Sequence, residues 1–93
     1  MEQVERFEQI TKWMCNLYAK KNKDYGDSFS KSLGKYGSIA ALTRISDKFN
    51  RLESLILKGS SEVTNEKLED TLIDLASYCV MTKMWLDDIS SHK

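Results

Sequence analysis

Two sets of charged residues at helical spacing hold most of the chemistry this chain could perform. Arg44, Asp47 and Arg51 follow i, i+3, i+7 and share one helix face, opposite the apolar residues Ile45, Phe49 and Leu52. Asp70, Asp74 and Ser77 follow i, i+4, i+7 and also oppose an apolar stripe. Two carboxylates one turn apart can grip a hard cation such as Mg²⁺, and Asp47 from the neighbouring helix is the natural third ligand. Arg44, Lys48 and Arg51, with Lys23 nearby, suit the oxygens of a phosphate. Tyr25, Phe29 and Tyr36 offer ring faces on which a base can stack. The chemistry this combination would suit is phosphate binding beside Mg²⁺. Each set also has a plainer use as solvated acids, a surface ion-pair ladder or packed aromatics. Two features favour the sharper reading. Aspartate is a poor helix former, and the face bearing Asp70 and Asp74 turns apolar at Met81 and Trp85, as a pocket or interface lining would.

Other chemistries lack their residues. The one histidine, His92, lies at the C-terminus, so no Ser-His-Asp arrangement can be assembled. No glycine-rich phosphate loop of the GxxxxGK[ST] or GxGxxG type is present. Cys15, Cys79 and His92 lack zinc-ligand spacing. The two cysteines read as buried thiols of a cytoplasmic protein rather than a disulfide framework.

The elements that must position these residues are helices. The chain has 93 residues and no proline, and its apolar residues recur every three to four positions. Its 41% apolar and 30% charged composition is globular, and residues 1–93 make one small all-α domain. A first helix is predicted over residues 2–21, with Val4, Phe7, Ile10, Met14 and Leu17 on one stripe. A second spans Ser38 to Lys58, with Leu42, Ile45, Phe49, Leu52 and Ile56 inward and Gly59 as its stop. A third covers residues 65–89, with Asn65 as N-cap. The third helix has two apolar stripes, one of Leu68, Leu72, Leu75, Cys79 and Leu86 and another of Ile73, Ala76, Val80 and Met84. One stripe is expected to face the other helices and the second another subunit, since so short a chain has little else to bury. Residues 22–37, rich in aromatics and punctuated by Gly26, Gly34 and Gly37, are expected to form a long ordered loop with a helical turn near Ser28. The fold expected is thus a three-helix antiparallel bundle, assembled as a homo-oligomer, with its site between the last two helices and beneath that loop.

Charge sharpens this expectation. The chain carries 14 basic and 14 acidic residues, a balance unlike that of a nucleic-acid polymer binder. Residues 20–51 hold eight cations against three acids, a net of +5, and residues 62–93 hold three against seven, a net of −4. A cleft with one basic and one acidic wall is the division that phosphate plus Mg²⁺ requires. No apolar run approaches the ~20 residues that cross a bilayer, and the acidic opening MEQVERFEQI is unlike a secretory or transit leader.

The segments KNKDYGDSFSKSLGKYG, RISDKFNRLESL and LEDTLIDLASYCVMT, in that order, resemble the nucleotide-modification-associated domain family over about residues 20–85. These are small proteins common in phages and prophage-bearing bacteria, and the resemblance implies a nucleotide connection. A more distant likeness is to the all-α NTP pyrophosphohydrolases of the MazG and dimeric dUTPase type, which bind Mg²⁺ between acid pairs on two helices. On that likeness Asp74, Asp70 and Asp47 fall at acid positions, while Asn50 or Arg51 stands where a fourth acid belongs. Three functions follow as expectations. The first is a phage-type protein that holds or sequesters a nucleotide or nucleotide-derived signal. The second is an Mg²⁺-dependent pyrophosphohydrolase, and the third a helical protein-interaction module.

Overall fold

The computed structural model describes residues 2–25, 27–58 and 65–91, with the side chains of Asp24, Tyr25 and Asn65 left aside. The proposed stop at Gly59, the Asn65 cap, the stacking role of Tyr25 and the end at His92 lie outside the described residues and side chains. Every described residue except Asp27 and Gly37 is helical. The helices are α1 (Glu2–Tyr25), α2 (Ser28–Tyr36), α3 (Ser38–Lys58) and α4 (Asn65–Ser91).

Among the described residues there are therefore four helices rather than three. The segment expected to be a loop is the last turn of α1 followed by a nine-residue helix. Phe29 and Leu33, one turn apart, give α2 an inward edge, and both are buried. Gly34, expected to break the chain, sits inside α2. Gly37 is the real punctuation. Its φ of 69° and ψ of −153° lie in a region that residues with a Cβ rarely enter. Its N–H donates to the Leu33 carbonyl at 2.8 Å, closing α2, and its own carbonyl accepts from Ala40 N–H at 3.0 Å, opening α3.

α3 and α4 pack along one another as an antiparallel pair, with α2 laid against both. The centre of the packing is Phe29, Leu33 and Ala41, joined by half-buried Ile45, Tyr78, Met81 and Trp85. The Phe29 ring meets Tyr78 edge-on, with centroids 4.9 Å apart and planes at 75°. Thr71, also buried, satisfies its hydroxyl by donating to the Lys67 carbonyl at 2.8 Å. α1 approaches the rest mainly through its second half, against α4.

Several residues expected inside are outside. Val4, Phe7 and Ile10 are exposed because the first half of α1 has no helix beside it. Leu42, Phe49 and Ile56 are exposed on α3, while Ile45 and Leu52 are partly covered. On α4 the interior takes Thr71, Tyr78, Met81 and Trp85, leaving Leu72, Val80, Met84 and Leu86 accessible. Cys15 and Cys79 are exposed thiols, not buried ones. α4 is apolar on more than two sides, so hydrophobicity alone could not select the face turned inward.

Gly34 inside α2 and Gly37 just after it predict opposite outcomes. A Cβ at either meets nothing within 4 Å, so backbone conformation decides. Gly37→Ala should lower stability by about 1–3 kcal/mol, and Gly34→Ala should raise it by about 0.5–1 kcal/mol. Urea unfolding of both variants beside the parent chain measures this.

Candidate functional site

A cavity of about 490 Å³ opens where α1, the start of α2, α3 and α4 meet. This is within the size range of pockets that hold small ligands. α1 contributes Leu17, Tyr18, Lys21 and Asn22, and α4 contributes Asp74, Ser77, Tyr78 and Met81. Asp27, Ser28 and Phe29 close one end, and Lys48 reaches in from α3.

Its electrostatic centre is Asp74. Lys48 Nζ donates to one carboxylate oxygen at 3.2 Å, and Lys21 Nζ lies 3.6 Å from the other. Two cations from two helices thus converge on one acid of a third. Lys48 is the more sheltered of the two, with 29% of its side chain exposed against 54% for Lys21. Lys48 lies on the inward face of α3 because it follows Ala41 by seven residues and Ile45 by three, all on one side of the helix.

α2 adds a second source of positive potential. Its first residues, Ser28 and Phe29, line the cavity, and a helix N-terminus carries partial positive charge on unpaired N–H groups. Asp27 occupies the N-cap position without a side-chain hydrogen bond to the helix, and its carboxylate lines the same cavity. Tyr18, Phe29 and Tyr78 supply aromatic surface around the polar centre. Two ammonium groups there face two carboxylates, Asp27 and Asp74, beside aromatic walls. An anion can therefore enter only by displacing a carboxylate from the lysines, and a flat ring can lie against the aromatic side.

The residues singled out from the sequence are divided by this geometry. Lys48, Phe29 and Asp74 come together in the cavity. Phe29 does so as a buried core side chain, edge-on to Tyr78, and not as a free stacking platform. Asp70 borders a smaller neighbouring cavity with Trp13, Leu17, Lys21, Ile73 and Asp74. Arg44, Asp47, Arg51 and Lys23 are exposed and line neither cavity. Tyr36 is also outside both, with the Lys35 ammonium 5.4 Å from its ring centre. Asp47, Asp70 and Asp74 are not gathered into a ligand set; among the described residues no group of three acidic, histidine or cysteine side chains is placed to hold a metal ion.

Lys21, Tyr18 and Asn22 were missed in the sequence. The available signal was Lys21 itself, which continues the stripe of Met14 and Leu17 along α1. A lysine on an apolar stripe is a cation directed toward the interior.

Fold and site together define a small all-α domain with a charged cleft between its helices. The chain belongs to the family described as nucleotide modification associated domain 1, whose model matches residues 21–86. That span holds α2, α3 and most of α4, with both lysines and Asp74. No curated protein and no solved structure gives a significant match, so the likeness to pyrophosphohydrolases gains no support from those comparisons. Among the described residues no helix is long and apolar enough to cross a membrane.

The packing role of Phe29 separates it from Tyr36, the other aromatic of α2. Phe29→Ala should cost about 3–5 kcal/mol, whereas Tyr36→Ala should change stability by less than about 0.5 kcal/mol. Thermal or denaturant unfolding of the two variants decides between core and surface roles.

Proposed function

We propose that this chain binds a phosphorylated nucleotide, or a signal derived from one, in the α1–α4 cavity and holds it without turning it over. The observation that carries this reading is the convergence of Lys21 and Lys48 on Asp74. In the absence of ligand the carboxylate satisfies both ammonium groups. A phosphate brings more negative charge and more acceptor oxygens, so it can replace Asp74 as their partner while the α2 N-terminus donates to it. The base then lies toward Tyr18 and Tyr78. The family to which the chain belongs supports the nucleotide part of the reading. On this reading the chain is a sequestering protein of the phage type, working as a homo-oligomer in the cytoplasm.

The competing reading is Mg²⁺-dependent pyrophosphate hydrolysis, with Asp47, Asp70 and Asp74 as metal ligands. It requires Asp74 to leave its lysines and Asp47 to reach a cavity that it does not line. Both readings part Asp74 from its lysines, but holding does not need Asp47 at the cavity, and for that reason it is preferred.

One experiment tests both. The purified chain is equilibrated with mono-, di- and triphosphate nucleotides, with and without Mg²⁺, and bound and free species are identified by mass. Sequestration predicts an intact nucleotide retained stoichiometrically without Mg²⁺. Lys48→Met should weaken retention at least ~10-fold, about 1.4 kcal/mol. Asp74→Asn should retain nucleotide as well as the parent or better, because the internal competitor has gone. Monophosphate formed with Mg²⁺ in excess over protein, and abolished by Asp74→Asn, would establish hydrolysis and overturn the proposal.

A further inference from the structure

The face of the α3–α4 pair turned away from the cavity is uncovered. Leu42, Phe49 and Ile56 form a row on α3 at intervals of seven, and all are about half or more exposed, at 60%, 48% and 58%. Leu72, Cys79 and Leu86 form a second seven-residue row on α4, with Leu72 and Leu86 at 46% and 45%. Seven residues are nearly two helical turns, so each row drifts only about 20° per step and stays on one face.

The two rows share one side of the pair. Each is rotated around its helix from the residues packed inward, by about 60° from Ala41 and Ile45 on α3 and by about 90° from Thr71 and Tyr78 on α4. The offset has the same rotational sense on both helices. In an antiparallel pair, rotations of the same sense from the seam bring both helices to the same side. None of the six residues lines either cavity. The result is a two-helix apolar surface, separate from the site, with the seven-residue spacing of helices packed about 20° apart in a bundle.

We infer that a second copy of this chain covers this surface, so that two α3–α4 pairs form an antiparallel four-helix bundle about a two-fold axis. The amount of exposed surface calls for a large partner. The chain exposes 7552 Å², whereas a compact monomer of its 10.7 kDa mass exposes about 5,500 Å². Its radius of gyration of 15.1 Å likewise exceeds the ~12 Å of a compact chain this long. Part of the excess of roughly 2,000 Å² belongs to the first half of α1, and the rest leaves room for a standard dimer interface of about 1,600 Å² in total. Charge permits self-association, because 14 cations balance 14 acids and two copies do not repel. Lys83 and Asp87, paired with one another on α4, border the row and suit a polar rim. The exposed stripe on α1 is one helix wide and offers no second row. A two-fold bundle also matches like with like, since each apolar pair meets an identical one.

The test uses the full chain. Sedimentation equilibrium at micromolar concentration should give twice the 10.7 kDa chain mass. Maleimide labelling followed by peptide mass analysis should find Cys79 at least ~10-fold slower than in the urea-unfolded chain, as burial in a packed interface requires. Phe49→Glu, which places a charge mid-row, should abolish the dimer at the same concentration, whether the separated chain stays folded or unfolds. A parent chain that sediments as a monomer would overturn the inference and leave the surface to a different protein. A dimer whose Cys79 labels as fast as in urea, or one that survives Phe49→Glu, would overturn it too.

Discussion

α2 is the wedge on which the rest of the structure depends. It has nine residues, and two of them, Phe29 and Leu33, lie at the centre of the packing between α3 and α4. Leu33 is the one fully buried large side chain among the described residues. A helix this short is not stable alone, so its existence is a consequence of burying those two residues. Its ends do the positioning. At one end Gly37 turns the chain sharply into α3, with a backbone conformation only glycine adopts readily. At the other, the uncapped first turn is presented to the cavity. Weakening the wedge would therefore loosen the core and displace the site together.

The Lys21–Asp74–Lys48 cluster has a different relation to stability. Asp74 and Lys48 are each about one-third exposed, so water screens much of their attraction and desolvation offsets part of the rest. Lys21 is more exposed and its contact longer, so its share is smaller still. The net contribution is on the order of 1 kcal/mol, well below that of the buried Phe29. A half-open charge cluster that contributes little to stability is free to exchange partners. That exchangeability is what a ligand-binding centre needs and a purely structural pin does not.

The sequence made the long elements legible and the inward faces illegible. The limits of α3 and α4 follow from sustained helical periodicity and agree with the structure at Ser38, Lys58 and Asn65. α2 was hidden because Gly26, Gly34 and Gly37 resemble loop punctuation, while its helical signal is only the spacing of Phe29, Leu33 and Tyr36. The inward face of α4 was hidden because apolar residues surround much of the helix. The strip running from Asp74 through Ser77 to Met81 and Trp85, noted for changing from acidic to apolar, is the one that faces the cavity and core. The site was legible where a charge shares an inward stripe, as Lys48 does. It was misleading where charges share an outward ladder, as Arg44, Asp47 and Arg51 do. Spacing along one helix gives neighbours on that helix, but which face meets the other helices is settled by their shapes together.

The placement of α1 links site and fold. Its first half has no neighbouring helix, and its second half meets the bundle around Leu17 and Lys21. Lys21 to Asp74 ties α1 to α4, and Lys48 ties α3 to the same carboxylate. An anion that takes over both lysines would connect α1 directly to α3, bypassing α4. Its binding free energy would then be spent partly on fixing the most weakly packed helix, so occupancy and the order of α1 would rise together. This coupling requires no metal and no bond breaking. It needs only a ligand with enough negative oxygens to serve two ammonium groups and a helix N-terminus at once. Phosphate meets that condition, with more acceptor oxygens and more negative charge than the single carboxylate of Asp74.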